Sequence, residues 1–133
     1  YQALADVAKK WGATKVALGH HLDDQAETVL LNILRGTKAK GLCGIPVRRP
    51  LATGVEIVRP LLCITRVEVE AYLAANALSC VTDQTNADDA YTRNWIRHRL
   101  LPLMEEKQPQ IRAHLSGMAQ ELQELFEEKN AHE

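Results

Sequence analysis

The sequence lacks the features of a membrane-spanning or disulfide-held protein. No apolar run in its 133 residues approaches the roughly 18 needed to cross a bilayer, and no leader-peptide pattern opens it. Three cysteines, Cys43, Cys63 and Cys80, contain no C-x-x-C pair. An odd, scattered set argues against a disulfide framework and a zinc knuckle, so a reducing cytoplasm is the expected compartment. An excess of one charge is also lacking, since 16 basic and 17 acidic residues leave a net −1. That argues against nucleic-acid binding through bulk electrostatics, and any such contact requires a local basic patch. There is no internal repeat and no low-complexity segment. The remaining composition, 46% hydrophobic, supports a globular core of one domain or less.

Helical periodicity appears at once. Leu4, Val7, Ala8 and Trp11 predict a helix over 2–11, with Gly12 in the terminating position. The chain opens on Tyr1 rather than Met and directly on this pattern, so a fragment of a longer polypeptide is expected. Lys15 to Gly19 reads as a short buried strand. Asp23 is the expected N-cap of a helix running to Arg35 and closed by Gly36, with Ala26, Val29, Leu30, Ile33 and Leu34 as its buried stripe. The glycines and prolines of 36–54 predict a loop. Val55 to Arg59 reads as a strand broken by Pro60. Thr65 and Glu68 form a capping-box pattern for a helix to Ala75, with Val67, Val69, Tyr72 and Leu73 supplying apolar surface. Cys80 to Thr82 is a candidate strand, followed by a polar turn through Asp89 and a helix over 90–104. From Gln110, Ile111, Leu115, Met118, Leu122 and Leu125 mark a coiled-coil-like seam on a long, linker-like helix, expected to pack on its own domain or to lead to a next one.

Chemistry concentrates in Gly19-His20-His21-Leu22-Asp23-Asp24-Gln25-Ala26-Glu27. These polar groups fall at a strand-to-helix junction, where open α/β sheets place ligands. Asp24 and Glu27 are three apart, so both carboxylates can turn to one ligand. Converging carboxylates bind an ammonium group and remove its proton, which an amine nucleophile requires at neutral pH. The plainer alternative is that Asp23 and Asp24 complement the positive end of the helix. His20 and His21 diverge from the strand end, so one can face the crevice while the other packs. A metal site stays open because His, Asp and Glu are competent ligands, although neither H-x-x-x-H nor H-E-x-x-H spacing occurs.

A second constellation runs from Asp83-Gln84-Thr85-Asn86 through Tyr91-Thr92-Arg93-Asn94-Trp95-Ile96-Arg97-His98-Arg99. Three arginines and two aromatics make a local basic, stackable surface suited to phosphates and bases. Arg93 and Arg97 share a helical face, while Trp95 and Ile96 are expected to pack in the core. Asp83 or Asn86 is a candidate turn cap.

Four pieces in order, GHHLDDQAETVLLNILRG (19–36), GLCGIP (41–46), RPLL with TR (59–66) and DQTN…YTRNWIRHRLLP (83–102), resemble the tRNA(Ile)-lysidine synthase family of N-type ATP pyrophosphatases. The resemblance implies an α/β fold: part of a Rossmann-like (adenine nucleotide alpha hydrolase-like) parallel sheet with flanking helices, followed by a helical C-terminal segment. Residues 1–82 would be the C-terminal half of the PP-loop domain and 83–133 a helical segment. The implied reaction adenylates the wobble cytidine of tRNA(Ile) with ATP, and free lysine then displaces AMP. Asp24, Glu27 and Arg93 would be catalytic, with Gly19, His20, His21 and Arg35 on the ATP side. Asn94, Arg97 and Arg99 would meet tRNA. Mg²⁺ is expected from the triphosphate charge.

The family's Ser-Gly-Gly-x-Asp-Ser nucleotide loop is absent, as is any Gly-Gly pair. The chain is therefore expected to lack the first strands and the C-terminal tRNA-binding domains, to be inactive alone, and to expose apolar surface that favours a homodimer. Alternatives are a tRNA cytidine thiolation enzyme of the same superfamily, disfavoured by the scattered cysteines, a non-catalytic RNA-binding or dimerisation module, and a metal-dependent hydrolase.

Overall fold

The computed structural model describes residues 1–78 and 88–131. The expectations for Cys80 to Thr82, Asp83 and Asn86 lie outside these residues. Helix α1 (Gln2–Trp11) ends at Gly12, whose φ of 67° is left-handed, a conformation glycine adopts without a Cβ penalty. Strand β1 (Lys15–Ala17) follows, then α2 (Leu22–Arg35). After a 3₁₀ turn at Gly41–Cys43, strands β2 (Arg48–Ala52) and β3 (Val55–Val58) form a hairpin. The sheet order is β1-β3-β2, with β1 parallel and β2 antiparallel to β3. The expected α/β sheet with flanking helices is present, and it is mixed rather than wholly parallel. Strand β2 lies where a loop was expected. Its Pro50 signals a break, but on an edge strand a missing N–H costs no ladder bond on the outer side. Strand β1 is half-exposed rather than buried, because its only described neighbour is β3.

Helix α3 (Arg66–Ala75) starts at Thr65, whose hydroxyl accepts from the Glu68 amide at 3.1 Å. The expected cap is present, but the expected apolar face is not covered. No residue of α3 is buried, and Val67 and Tyr72 are exposed. Helix α4 (Asp88–Trp95) runs through a π turn at Ile96–Leu100 into α5 (Leu101–Lys107). The last helix, α6 (Ile111–Ala131), packs along α2.

One core unites these parts: Ala26, Val29, Leu30 and Leu31 of α2, Ile96 and Leu101 around the π turn, and Leu115 and Ala119 of α6. The buried stripe of α2 thus differs from the expected one. Leu31 replaces Ile33 and Leu34, which are exposed at the end of the helix. Ile96 is in the core as expected, but Trp95 is half-exposed. The π turn inserts an extra residue into the helical repeat and shifts the face that follows. Ile96 and Leu101 both point inward across it. On the opposite side, Leu4, Val7 and Trp11 of α1 are exposed, and the helix buries only Ala5 and Ala8. The periodicity identified the helix but not what covers it.

Candidate active site

The carboxyl ends of the parallel strands β1 and β3 lead to His20 and Arg59, and α2 begins beside them. The N-cap of α2 is His21, two residues before the expected Asp23. His21 Nδ1 accepts from the Asp24 amide at 3.4 Å, and the His21 amide donates to Asp24 Oδ2 at 2.9 Å. This reciprocal pair satisfies two of the orphan amides at the helix start. With that role filled, Asp23 is free to link elements. Its Oδ1 accepts from the Arg66 amide at 3.0 Å, and its Oδ2 pairs with Arg112 of α6 at 2.9 Å. Arg112 also holds Glu105 at 3.0 Å. Asp23 therefore ties the starts of α2 and α3 to α6.

Glu27 lies one turn further along and is 0% exposed. A lone buried carboxylate is prohibitively costly, so its partners decide whether it can be ionised. Arg97 grips it with two bonds, Nε to Oε2 at 3.0 Å and Nη2 to Oε1 at 2.8 Å. Arg66 approaches Oε2 at 3.8 Å and Arg93 approaches Oε1 at 3.9 Å. The hydrogen bond to Glu27 raises the Arg97 pKa further and keeps its guanidinium charged. Asp24 joins this cluster through Oδ1, 4.0 Å from Arg97 Nη2. Arg93 donates from Nη1 to the Thr28 hydroxyl at 3.0 Å and to the Asp24 carbonyl at 3.5 Å. With Asp23, Arg112 and Glu105 included, four guanidiniums thus meet four carboxylates, so the cluster around the start of α2 is balanced in charge.

The structure brings Asp24, Glu27, Arg93 and Arg97 together. The ligand on which the two carboxylates converge is the guanidinium of Arg97, which fills both oxygens of Glu27. Asp24 keeps partial exposure, with a side chain 20% accessible. His20 stands at the strand end and accepts at Nδ1 from Arg59 Nε at 3.0 Å. Burial, and secondarily the Arg59 charge, lower the His20 pKa, so the imidazole is held neutral. Gly19 is exposed beside it. Arg35 lies apart at the far end of α2. Asn94 and Arg99 are exposed, as are Tyr91 and Trp95 on the same helical segment.

Two contributors were missed. Arg66 carries no chemical signal in the sequence beyond following a capping threonine. Gly44 has φ 64°, and a Cβ there would strike the Gln25 side-chain amide. That amide clamps Ile45, accepting from its N–H at 2.6 Å and donating to its carbonyl at 3.0 Å. The GLCGIP loop is therefore fixed to α2 through a residue that must be glycine.

A match to the PP-loop domain, ATP_bind_3, covers residues 1–104. The chain belongs to the PP-loop domain family. Among curated proteins, it is 43% identical over 111 residues to a tRNA(Ile)-lysidine synthase of Geobacillus kaustophilus, covering 84% of this chain and 24% of that protein. It is 45% identical over 120 residues to one from Geobacter sulfurreducens, covering 90% of this chain and 25% of that protein. This PP-loop chain thus spans about a quarter of the length of the curated relatives it matches. Among solved structures, a U34-tRNA thiolase, NcsA, from Methanococcus maripaludis has a TM-score of 0.64 at 20% identity, covering 92% of this chain and 41% of that one. At that identity the likeness concerns the fold alone. Among the described residues no helix is long and apolar enough to cross a membrane.

Proposed function

We propose that this PP-loop chain is part of an ATP-dependent tRNA(Ile)-lysidine synthase, in which the start of α2 is the reacting centre. The observation that carries the reading is the buried Glu27 with three arginines from three elements around it. ATP activates the wobble cytidine of tRNA(Ile) as its adenylate with release of pyrophosphate, and lysine displaces AMP. An adenylating site must offset phosphate charge, and the partly exposed guanidinium of Arg93 fits that need. Arg93, partly exposed and steadied by Thr28, meets the α-phosphate. Asp24, the partly exposed carboxylate of the pair, binds the lysine amine and takes its proton. Glu27 acts through the arginines, setting their positions and keeping them charged. Gly19, His20 and His21 border the nucleotide, with Arg35 contributing from the far end of α2. Asn94 and Arg99, beside the exposed Tyr91 and Trp95, contact tRNA. Arg97 serves that surface only through its hold on Glu27.

In this division residues 1–82 form the nucleotide side and 83–133 the helical tRNA side, within a cytoplasmic enzyme that functions as a homodimer. Among the described residues no group of three or more His, Cys, Asp or Glu converges as a metal site. The carboxylates here are already held by arginines and an amide, so they do not supply a Mg²⁺ set. The test is lysine-dependent AMP release with tRNA(Ile), in a polypeptide that joins these residues to a Ser-Gly-Gly-x-Asp-Ser loop. Arg93→Ala and Asp24→Asn are each expected to reduce it about 100-fold or more, and the 133-residue chain alone is expected to show none. Unchanged AMP release in both variants contradicts the reading.

A further inference from the structure

Arg59 is the reverse of Glu27. It is only 5% exposed, yet among the described residues it pairs with no carboxylate. Instead its Nε donates to His20 Nδ1 at 3.0 Å and its Nη1 donates to the Pro46 carbonyl at 2.8 Å. The Arg59 amide adds a bond to the Val47 carbonyl at 2.9 Å. The segment that supplies these carbonyls is braced just before them. Gln25 holds both backbone groups of Ile45, and Gln123 of α6 donates to the same Ile45 carbonyl at 2.9 Å. Two bonds from one planar guanidinium fix its direction as well as its place.

That direction decides which form of His20 can exist. A guanidinium keeps all its protons, so Arg59 Nε is always a donor. The nitrogen facing it must present a lone pair, and a neutral imidazole has one lone-pair nitrogen and one N–H. With Nδ1 accepting, the hydrogen is on Nε2. The same contact excludes an imidazolium, which would set two N–H groups against each other. The surroundings of the ring agree. Burial and then Arg59 lower its pKa, Arg93 and His21 add to this, and Asp24 opposes it. Among the described residues Nε2 has no hydrogen-bond partner, and no fully buried side-chain nitrogen lacks one. The Nε2–H group therefore reaches accessible surface, on a ring that the charges of Asp24 and Arg93 both influence.

We propose that Arg59 is a positioning residue that holds His20 as the Nε2–H tautomer, a fixed neutral donor to an anionic oxygen of the bound ligand. Such a ring cannot take a proton at Nε2, which already carries one, and gives that proton up only far above neutral pH. His20 is thereby excluded as the base for an amine, a task left to Asp24. The Arg59 charge, acting through the ring, strengthens the Nε2–H donor. The proposal deepens the proposed function and rests on it for the identity of the oxygen, one of the nucleotide's phosphate oxygens. The tautomer itself does not depend on that reading.

Nitrogen NMR on the chain, isotopically labelled at histidine and arginine, reads the tautomer directly, with His20→Gln assigning the signal by its loss. A lone-pair shift at Nδ1, a protonated shift at Nε2 and a coupling across the hydrogen bond from Arg59 Nε to His20 Nδ1 are expected. In Arg59→Met both His20 nitrogens are expected to move toward the averaged shifts of a freely exchanging imidazole. A hydrogen on His20 Nδ1, or shifts unchanged in Arg59→Met, overturns the proposal. Lysine-dependent AMP release, in the polypeptide that includes the Ser-Gly-Gly-x-Asp-Ser loop, is the second readout. His20→Gln keeps an N–H donor without a base and is expected to stay within about 10-fold of the parent, whereas His20→Leu loses about 100-fold. Equal losses in the two variants overturn the donor role. The expected tautomer in a polypeptide without AMP release refutes the proposed function alone. AMP release with an averaged His20 tautomer refutes the role of Arg59 alone.

Discussion

The two flanks of α2 treat a buried charge in opposite ways. On one, Glu27 is enclosed by Arg66, Arg93 and Arg97. On the other, Arg59 is enclosed by a neutral imidazole and a carbonyl. The first cluster is complete without a ligand and serves to place its arginines. The second is electrostatically open, and its charge bears on the imidazole that it holds neutral. A buried ion pair is weak evidence of stabilisation, whereas breaking one is costly. The contrast therefore predicts unequal responses to substitution.

The largest effect is expected at Glu27. Glu27→Ala leaves three guanidiniums without their shared anion and is expected to lower unfolding free energy by about 3–5 kcal/mol in urea titration. A loss below about 1 kcal/mol would erase the difference between the flanks. Next is Arg97→Ala, expected to cost roughly 1.5–3 kcal/mol by the same titration, because the bidentate bond is lost while Arg66 and Arg93 remain. Arg59→Met is expected to change stability by only about 1 kcal/mol, since desolvation of an uncompensated cation is relieved as two hydrogen bonds are lost. A cost equal to that of Glu27→Ala would mean that Arg59 is an ordinary structural ion.

The smallest effect is a pH slope. His20 is more easily protonated in the unfolded chain than in the folded one, because burial and Arg59 lower its pKa below 6.5. The unfolded state therefore binds more protons as pH falls through 6.5, and stability declines over that interval toward the lowered folded value. Thermal melts between pH 7.5 and 5 should show this contribution as a shift that shrinks in Arg59→Met, where one of its causes is gone. A contribution of the opposite sign would place the charged imidazole in the fold.

Local signals in the sequence carried the helices and their ends. Trp11-Gly12, Thr65 and Gly36 stop or start helices where the spacing required. What local patterning does not carry is the covering layer. Leu4, Val7, Val67 and Tyr72 have helical spacing yet remain exposed, because periodicity specifies a face and not its partner. Strand β2 was hidden by Pro50, which edge pairing tolerates. Asp24, Glu27, Arg93 and Arg97 were singled out by residue type and spacing. The identity of the group between the carboxylates was not legible, since Arg66 and Arg97 arrive from distant segments and the π turn that aims Arg97 has no sequence signature. Asp23 was misplaced as a cap because histidine is an uncommon choice for that position.

Glu27 and Arg97 act as one buried unit that sets the arginine cluster. A double-mutant cycle of Glu27→Gln and Arg97→Leu, read by equilibrium unfolding, measures that directly. A coupling of about 2 kcal/mol or more is expected, with the double variant more stable than Glu27→Gln alone. Losses that add to within roughly 0.5 kcal/mol would contradict it.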